Sequence, residues 1–178
     1  IEEHFYTKLK YIIENYKNGI NLDDNNIFLD KDSLISSGTP NTQNTWMDAK
    51  YGNHSFTPRN GKTVELNALW YNALMIMAEL SIKFGNKKEQ KEYLNLAEKC
   101  QKSFLEKFYN SKRNCLYDVL GDGKVRPNQL FALSLSYPVV NPESDMAKSV
   151  IEVVEKKLLN KYGLKTLAKG EKGYIDIY

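Results

Sequence analysis

The stretch LNALWYNALMIMAELSIKF, residues 66–84, decides the fold that we expect for this chain. Its apolar side chains recur at steps of three and four residues, which is the period of an α-helix. They cover so wide a stripe that we expect the helix to be buried on most sides. The sequence Phe84-Gly85-Asn86 is expected to end it. The apolar positions are Leu66, Leu69, Trp70, Ala73, Leu74, Met77, Ala78 and Leu80.

Four other segments show helical periodicity, and they differ in how much of their surface is apolar. Residues 1–16, 88–109 and 142–161 are amphipathic, with an apolar stripe and a polar face. Residues 128–136 form a shorter segment that is mostly apolar. The expected boundaries are Asn18-Gly19 after the first helix, Pro127 and Pro138 around the apolar segment, and Gly163 as the cap of the last helix.

Mostly apolar helices therefore alternate with amphipathic ones. Each apolar helix, 66–84 and 128–136, precedes an amphipathic helix and follows a loop rich in polar and charged side chains. Inner and outer helices paired in a ring, with the loops of one rim forming a site, would produce this alternation. A bundle or solenoid is the alternative, although a plain bundle does not require two grades of burial. We expect one all-α domain over residues 1–178, arranged as a toroid of helix pairs.

Residues 20–64 lack this periodicity. Asp23-Asp24-Asn25-Asn26 is expected to form the turn of a hairpin between Ile20-Asn21-Leu22 and Ile27-Phe28-Leu29. The remainder is rich in Ser, Thr, Asn, Gly and Pro, and irregular segments of this length inside compact domains are often functional. Its large apolar side chains, which need the domain or a ligand to pack on, are Trp46, Met47 and Phe56.

The composition limits the classes of partner. The hydrophobic fraction of 42% and the charged fraction of 26% are ordinary for a globular protein. The formal net charge is +3, without the basic run that would follow a phosphate backbone. The two cysteines and two histidines show no metal-ligand spacing. No apolar run approaches the roughly 18 residues that span a bilayer. We expect no nucleic-acid partner, no metal or other cofactor, and no membrane span.

Three stretches carry side chains suited to chemistry, and the first is TWMDAK, residues 45–50. Here Asp48 follows closely on Trp46, and an apolar ring beside a carboxyl group disfavours its charged form. Glycoside hydrolysis needs one carboxylic acid that is still protonated near neutral pH. On these residues alone we favour a simpler interpretation, in which Asp48 caps a helix or pairs with Lys50.

The second stretch is TPRNGKTVELNALWYNAL, residues 57–74. Glu65 either stabilises the helix start through the helix dipole or accepts hydrogen bonds from sugar hydroxyls, with Trp70 or Tyr71 as a wall. The third stretch is RPNQLFALSL, residues 126–135. It places hydrogen-bonding side chains at the start of a buried helix, for which helix initiation by proline is the simpler explanation.

Taken together and in this order, these three stretches closely resemble the C-terminal glucosidase region of the glycogen-debranching enzyme family. The later segment LLNKYGLKTL, residues 158–167, resembles the part of the same family that precedes its last catalytic loop. The resemblance extends from Ser33 to Leu167, whereas the first 32 residues match only in helical character.

The resemblance implies an (α/α)6 toroid that hydrolyses, with inversion, the α-1,6-linked glucose at a branch point of glycogen or maltodextrin. It implies Asp48 as the general acid and places Glu65 in the sugar pocket. Around that pocket it further places Trp46, Lys50, Arg59, Trp70, Tyr71, Arg126, Asn128 and Gln129. It also implies a cytoplasmic enzyme without a cofactor.

In the family, the general base lies beyond the YGLKTL-like segment, and neither Glu171 nor Asp176 stands in a matching motif. We therefore expect the active site of residues 1–178 to be incomplete. We also expect the ring to be open, with an exposed apolar edge that promotes self-association. Two alternatives remain, namely another toroidal glycosidase of the trehalase or glucoamylase type, and a glucan-binding module without hydrolytic activity.

Overall fold

Helix α2 is the centre of the fold in the computed structural model, which describes residues 2–22, 25–52 and 54–176. It comprises Val64–Phe84 and packs against α3, Lys87–Phe108. The Asn86 side chain accepts hydrogen bonds from the backbone N–H groups of Lys88 and Glu89, each at 3.0 Å. This side-chain cap satisfies two of the free N–H groups at the start of α3.

The two helices differ in burial as the sequence predicts. The buried positions of α2 spread over well more than half of its circumference, whereas those of α3 lie on one narrower face. The buried residues of α3 recur at steps of three and four, and the rings of Phe104 and Phe108 stack with their centroids 4.5 Å apart. α2 is therefore an interior helix, and α3 covers it with a polar face turned to solvent.

The remaining helices pack on α2 or on the elements next to it. α1 comprises Glu2–Asn18 and packs on α2 and on the sheet that follows it. A 3₁₀ turn at Pro127–Leu130 leads into the short α4, Phe131–Ser134. α5, Asp145–Leu158, packs against that 3₁₀ turn.

Small antiparallel sheets lie between α1 and α2, after α3 and after α5. The largest has three strands in the order β1-β2-β3, and its register pairs Ile20 with Ile27 and Leu29 with Ile35. The strands of this sheet are β1 (Ile20–Leu22), β2 (Asn25–Leu29) and β3 (Ile35–Ser37). The two-stranded pairs are β4 (Lys50–Tyr51) with β5 (His54–Ser55), β6 (Tyr109–Asn110) with β7 (Cys115–Leu116), and β8 (Leu159–Asn160) with β9 (Gly163–Leu164).

The hairpin predicted near residue 20 is confirmed, with one change of boundary. Asn25 and Asn26 belong to β2 and pair with β1, so they are not part of the turn. The predicted turn residues Asp23-Asp24 lie outside the described residues.

Two helix boundaries were wrong. The helix expected over residues 128–136 is a 3₁₀ turn followed by a single α-helical turn. The chain leaves the helix because Asn72 of α2 accepts a hydrogen bond from the Tyr137 N–H at 2.9 Å, and because the residue before Pro138 is disfavoured in helical geometry. Gly163 does not cap α5, since α5 ends at Leu158 and Gly163 lies in β9.

The fold class is mainly helical, with about 48% of residues in helices, but it is not purely α. The small sheets supply hydrogen-bond partners for backbone groups that leave the helices, and buried groups of this kind require partners. None of the described helices is both long enough and apolar enough to cross a membrane.

The interior position of α2 predicts how its residues respond to truncation. Leu74 is 0% exposed and Ile82, on the same helix, is 69% exposed. We expect Leu74→Ala to lower the free energy of unfolding by about 2–5 kcal/mol, because it removes buried methyl groups and leaves a cavity. Ile82→Ala should change it by less than about 0.5 kcal/mol. Urea unfolding of both variants tests this, and similar losses would contradict the interior placement of α2.

Candidate functional site

A buried guanidinium joins three segments of the chain. The Arg59 side chain, 1% exposed, lies between the carboxylates of Glu65 and Asp118. Its Nη2 donates to Glu65 Oε2 at 2.6 Å and to Asp118 Oδ1 at 3.0 Å, and its Nε donates to Asp118 Oδ2 at 2.8 Å. A further bond joins Arg59 Nη1 to Glu65 Oε1. Burial lowers the pKa of Arg59, but the hydrogen bonds and charges of the two carboxylates raise it further, so the net pKa lies above its ordinary value.

This ion network is built into the start of α2. Glu65 lies in the first turn of α2, and Asp118 lies two residues beyond β7. The Asp118 carbonyl oxygen accepts a hydrogen bond from the Val64 N–H at 3.0 Å, and an isolated bridge pairs Thr63 with Val119. The side chain and the backbone of Asp118 therefore both hold the segment after β7 against the helix start.

Asn128 extends the network to the surface. Its Nδ2 donates to Asp118 Oδ1 at 2.8 Å, and its Oδ1 accepts a hydrogen bond from Trp46 Nε1 at 2.9 Å. Asn128 is 1% exposed, whereas Trp46 is 60% exposed. One edge of the indole is thus tied to a buried amide while most of the ring faces solvent.

Arg126 and Gln129 flank Asn128 on the 3₁₀ turn. Gln129 is a structural residue, because its Oε1 accepts from the Leu116 N–H at 3.1 Å and its Nε2 donates to the Arg126 carbonyl at 2.9 Å. Arg126 Nη1 donates to the Thr166 carbonyl at 3.0 Å. Its buried Nε lies 3.6 Å from Asp118 Oδ2, within ion-pair distance but too far for a hydrogen bond. The pKa of Arg126 lies below its ordinary value, mainly because the side chain is buried.

A cleft of about 830 Å³ opens beside these residues, and Arg59 and Arg126 both line it. Met47 Sδ lies 3.5 Å from Arg126 Nη1, so the loop that carries Trp46 borders the cleft. Phe56, 66% exposed, adds an aromatic ring to the lining. Among the described residues, no group of three or more His, Cys, Asp or Glu side chains is placed to hold a metal ion. The lining combines the aromatic rings of Phe56 and Tyr174 with polar and charged side chains, among them Arg126, three lysines and two aspartates.

Asp48 is turned away from the cleft. It is 0% exposed, and its carboxylate accepts hydrogen bonds from backbone groups of its own loop. The Asn44 N–H donates to Oδ2 at 3.0 Å, and the Thr45 N–H donates to Oδ1 at 3.2 Å. In this geometry Asp48 shapes the loop that presents Trp46, as a capping carboxylate does.

The comparison with protein families adds the decisive observation. The model of the amylo-alpha-1,6-glucosidase family matches residues 1–178. The chain belongs to this family. The family is one of glycoside hydrolases connected with glycogen debranching. No curated protein matches the sequence.

For this amylo-alpha-1,6-glucosidase family member, the structure brings together most of the residues singled out from the sequence. Two of them line the cleft, and the others connect to these through hydrogen bonds or neighbouring positions. Glu65 is joined to the cleft only through Arg59, because both of its carboxylate oxygens bind that guanidinium. The set in contact consists of Trp46, Arg59, Glu65, Arg126, Asn128 and Gln129.

Three predicted residues lie elsewhere. Trp70 and Tyr71 are 5% and 8% exposed and belong to the core. Trp70 stacks on Tyr16 of α1, with ring centroids 6.1 Å apart, and lines a separate apolar groove of about 240 Å³. Lys50 is exposed on β4 and does not line the cleft. The sequence pattern placed the two aromatic residues correctly on α2 but could not say which side of the helix faces the cleft.

Asp118 was missed by the sequence analysis. It lies in the extended segment CLYDVL, residues 115–120, two positions after Leu116 and two before Leu120. Alternation in extended backbone places these three side chains on one face, and Leu116 is 1% exposed. An aspartate on the buried face of such a segment requires a cationic partner. Its position in the alternating pattern could therefore have identified Asp118 from the sequence.

The network predicts a large cost for removing its cation. We expect Arg59→Met to lower the free energy of unfolding by about 3–5 kcal/mol, because the buried carboxylate of Glu65 loses its cationic partner and that of Asp118 loses the nearer of its two. Arg113→Met is the control, since the Arg113 side chain is 32% exposed and pairs with one carboxylate, that of Glu171. That control should cost about 1 kcal/mol or less. Equal losses in urea unfolding at pH 7 would contradict the central role of Arg59.

Proposed function

We propose that this protein removes α-1,6-linked glucose at branch points of glycogen or related maltodextrins, by an inverting acid and base mechanism. The observation that carries the proposal is the exposed indole of Trp46, which is tethered to Asn128 and is followed in the chain by Met47, whose Sδ contacts the cleft residue Arg126. The chain that carries it belongs to the amylo-alpha-1,6-glucosidase family. An aromatic face contacts the apolar side of a pyranose ring, and arginine donors bind its hydroxyl oxygens.

We propose Asp48 as the general acid, on the strength of the TWMDAK motif that it shares with the family. Its carboxyl group must then turn out of its hydrogen bonds to Asn44 and Thr45 and towards the glycosidic oxygen. The neighbouring carboxylates are less suited to this role. In each of Glu65 and Asp118, both carboxylate oxygens accept hydrogen bonds from Arg59, and both side chains are buried.

An inverting enzyme also needs a second carboxylate, roughly 6.5–9.5 Å from the first, to activate water. Asp122 and Asp176 line the cleft. Asp122 is bound by Lys124 at 2.7 Å, and Asp176 accepts a hydrogen bond from the Tyr174 hydroxyl at 2.6 Å. Neither lies in a motif of the family, so the proposal assigns the base to neither.

We further propose that the helices belong to an (α/α)6 toroid. α2 has the burial of an inner helix, and α3 has that of an outer helix. The 3₁₀ turn with α4 and the amphipathic α5 repeat this order. The loops before the two inner elements both contribute to the cleft, through Arg59 and Arg126, which agrees with a site at one rim of a ring.

A second function is supported by the burial of Asp48. If the carboxyl group stays bound to its own loop, the cleft binds glucan without cleaving it. This protein would then be a glucan-binding module, with Trp46 and Arg126 as its contacts.

Glucose release by the full-length protein from a maltooligosaccharide with a single α-1,6-linked glucose separates these functions. We expect Asp48→Asn to lower the rate on the order of a hundredfold or more, as for loss of a general acid, with little change in glucan affinity. Asp145→Asn, at a side chain that is 100% exposed on α5, is the matched control and should keep the full rate.

Release that survives Asp48→Asn would exclude Asp48 as the acid. If the unmodified full-length protein binds the oligosaccharide and releases no glucose, the hydrolytic proposal fails and the binding function is favoured.

A further inference from the structure

The exposed ring of Trp46 is held by its only polar atom. Nε1 donates to Asn128 Oδ1 at 2.9 Å, and 60% of the residue remains exposed. An indole with such exposure and no polar tether would sample several rotamers. The hydrogen bond therefore selects one orientation of a ring that the packing around it does not fix.

The orientation of the Asn128 amide is fixed in turn. Asn128 Nδ2 faces Asp118 Oδ1 at 2.8 Å. A carboxylate can only accept and an indole N–H can only donate, so the amide nitrogen must face Asp118 and the amide oxygen must face Trp46. The reversed amide would place two donors together at Trp46 and two acceptors together at Asp118.

Asp118 is itself immobilised from the other side. Arg59 donates to both of its carboxylate oxygens, at 2.8 Å and 3.0 Å. The turn that carries Asn128 is tied to β7, because Gln129 Oε1 accepts the Leu116 N–H. Both ends of the Asp118–Asn128 contact are therefore fixed by the interior of the protein.

We infer that Asp118 and Asn128 are positioning residues that fix the glucan-binding face of Trp46. This inference rests on the proposed function, in which the cleft takes an α-glucan. Neither residue needs to touch the sugar to act in this way. Their effect is to hold the indole in its binding orientation before the sugar arrives, so that binding does not have to order the side chain.

The direct test is the indole N–H signal in a ¹H–¹⁵N correlation spectrum. The chain has only two tryptophans, so two indole signals are expected, and Trp46→Phe assigns them by removing one. We expect Asn128→Ala and Asp118→Asn each to move the Trp46 signal upfield and to speed its exchange with water, because its hydrogen bond is lost or loosened. The Trp70 signal should stay in place.

Asn67→Ala is the matched control for general destabilisation. Asn67 is a buried asparagine that hydrogen-bonds the backbone of Ile35 and Thr63, without a contact to Trp46. It should lower the stability of the protein while the Trp46 signal is unchanged. A Trp46 signal that does not respond to Asn128→Ala, or that responds equally to Asn67→Ala, would overturn the inference.

Glucan affinity gives a second, independent readout. Titration calorimetry with the singly branched maltooligosaccharide should show about tenfold weaker binding for Asn128→Ala, the change expected from losing one buried hydrogen bond. In a Trp46→Phe background, where the N–H is absent, Asn128→Ala should cause no further loss. An equal loss in both backgrounds would show that Asn128 acts on the sugar by another route, against the inference.

The proposed function and the positioning role of Asp118 and Asn128 can fail separately. If the unmodified protein binds no α-glucan, the proposed function fails. The indole signals still decide, without any ligand, whether Asp118 and Asn128 hold the ring.

Discussion

The guanidinium of Arg59 is the interaction on which the site depends. Two carboxylates from distant parts of the sequence meet on it, Glu65 from the start of α2 and Asp118 from the segment after β7. Each of these three charges is buried, and a buried charge is tolerated only with a partner of opposite sign and good geometry. The network thus fixes where α2 begins, and through Asn128 it reaches the surface at Trp46.

Several residues of the family motifs therefore form their hydrogen bonds within the protein itself. Arg59 and Arg126 line the cleft and also hold interior groups. The side-chain oxygen and nitrogen of Gln129 both bond to the backbone, and both carboxylate oxygens of Glu65 bond to Arg59. We therefore interpret a motif residue of this kind as one that holds other side chains of the site in place, unless it is shown to contact the ligand.

The sequence predicts the helices well where a single physical signal dominates. Apolar residues at helical spacing locate α2 and α3 to within two residues, because burial of an apolar stripe drives both helices. It fails where a tertiary contact competes, as at Tyr137, whose N–H is taken by Asn72 instead of a helical carbonyl. Gly163 was misassigned for a similar reason, because a short hairpin takes over where α5 ends.

The membership of the sugar site stays a prediction, whereas the structure does show which of the named residues lie together. Motif order brought the arginines and Asn128 to one place, whereas the side on which Trp70 and Tyr71 face could not be read from a helix that is apolar nearly all around. The direction of the Asp48 side chain could not be predicted either, because its loop has no periodic pattern of apolar residues. Only the hydrogen bonds from Asn44 and Thr45 show that its carboxylate turns inward.

The central claim, that an α-glucan binds against Trp46, is tested most directly by iodide quenching of tryptophan fluorescence. Trp70 is only 5% exposed, so iodide reports mainly on Trp46 at 60%. The account predicts that a saturating concentration of singly branched maltooligosaccharide lowers the quenching constant, while a β-1,4-linked glucan at the same concentration does not. An unchanged quenching constant with the branched oligosaccharide, or equal protection by both glucans, would contradict it.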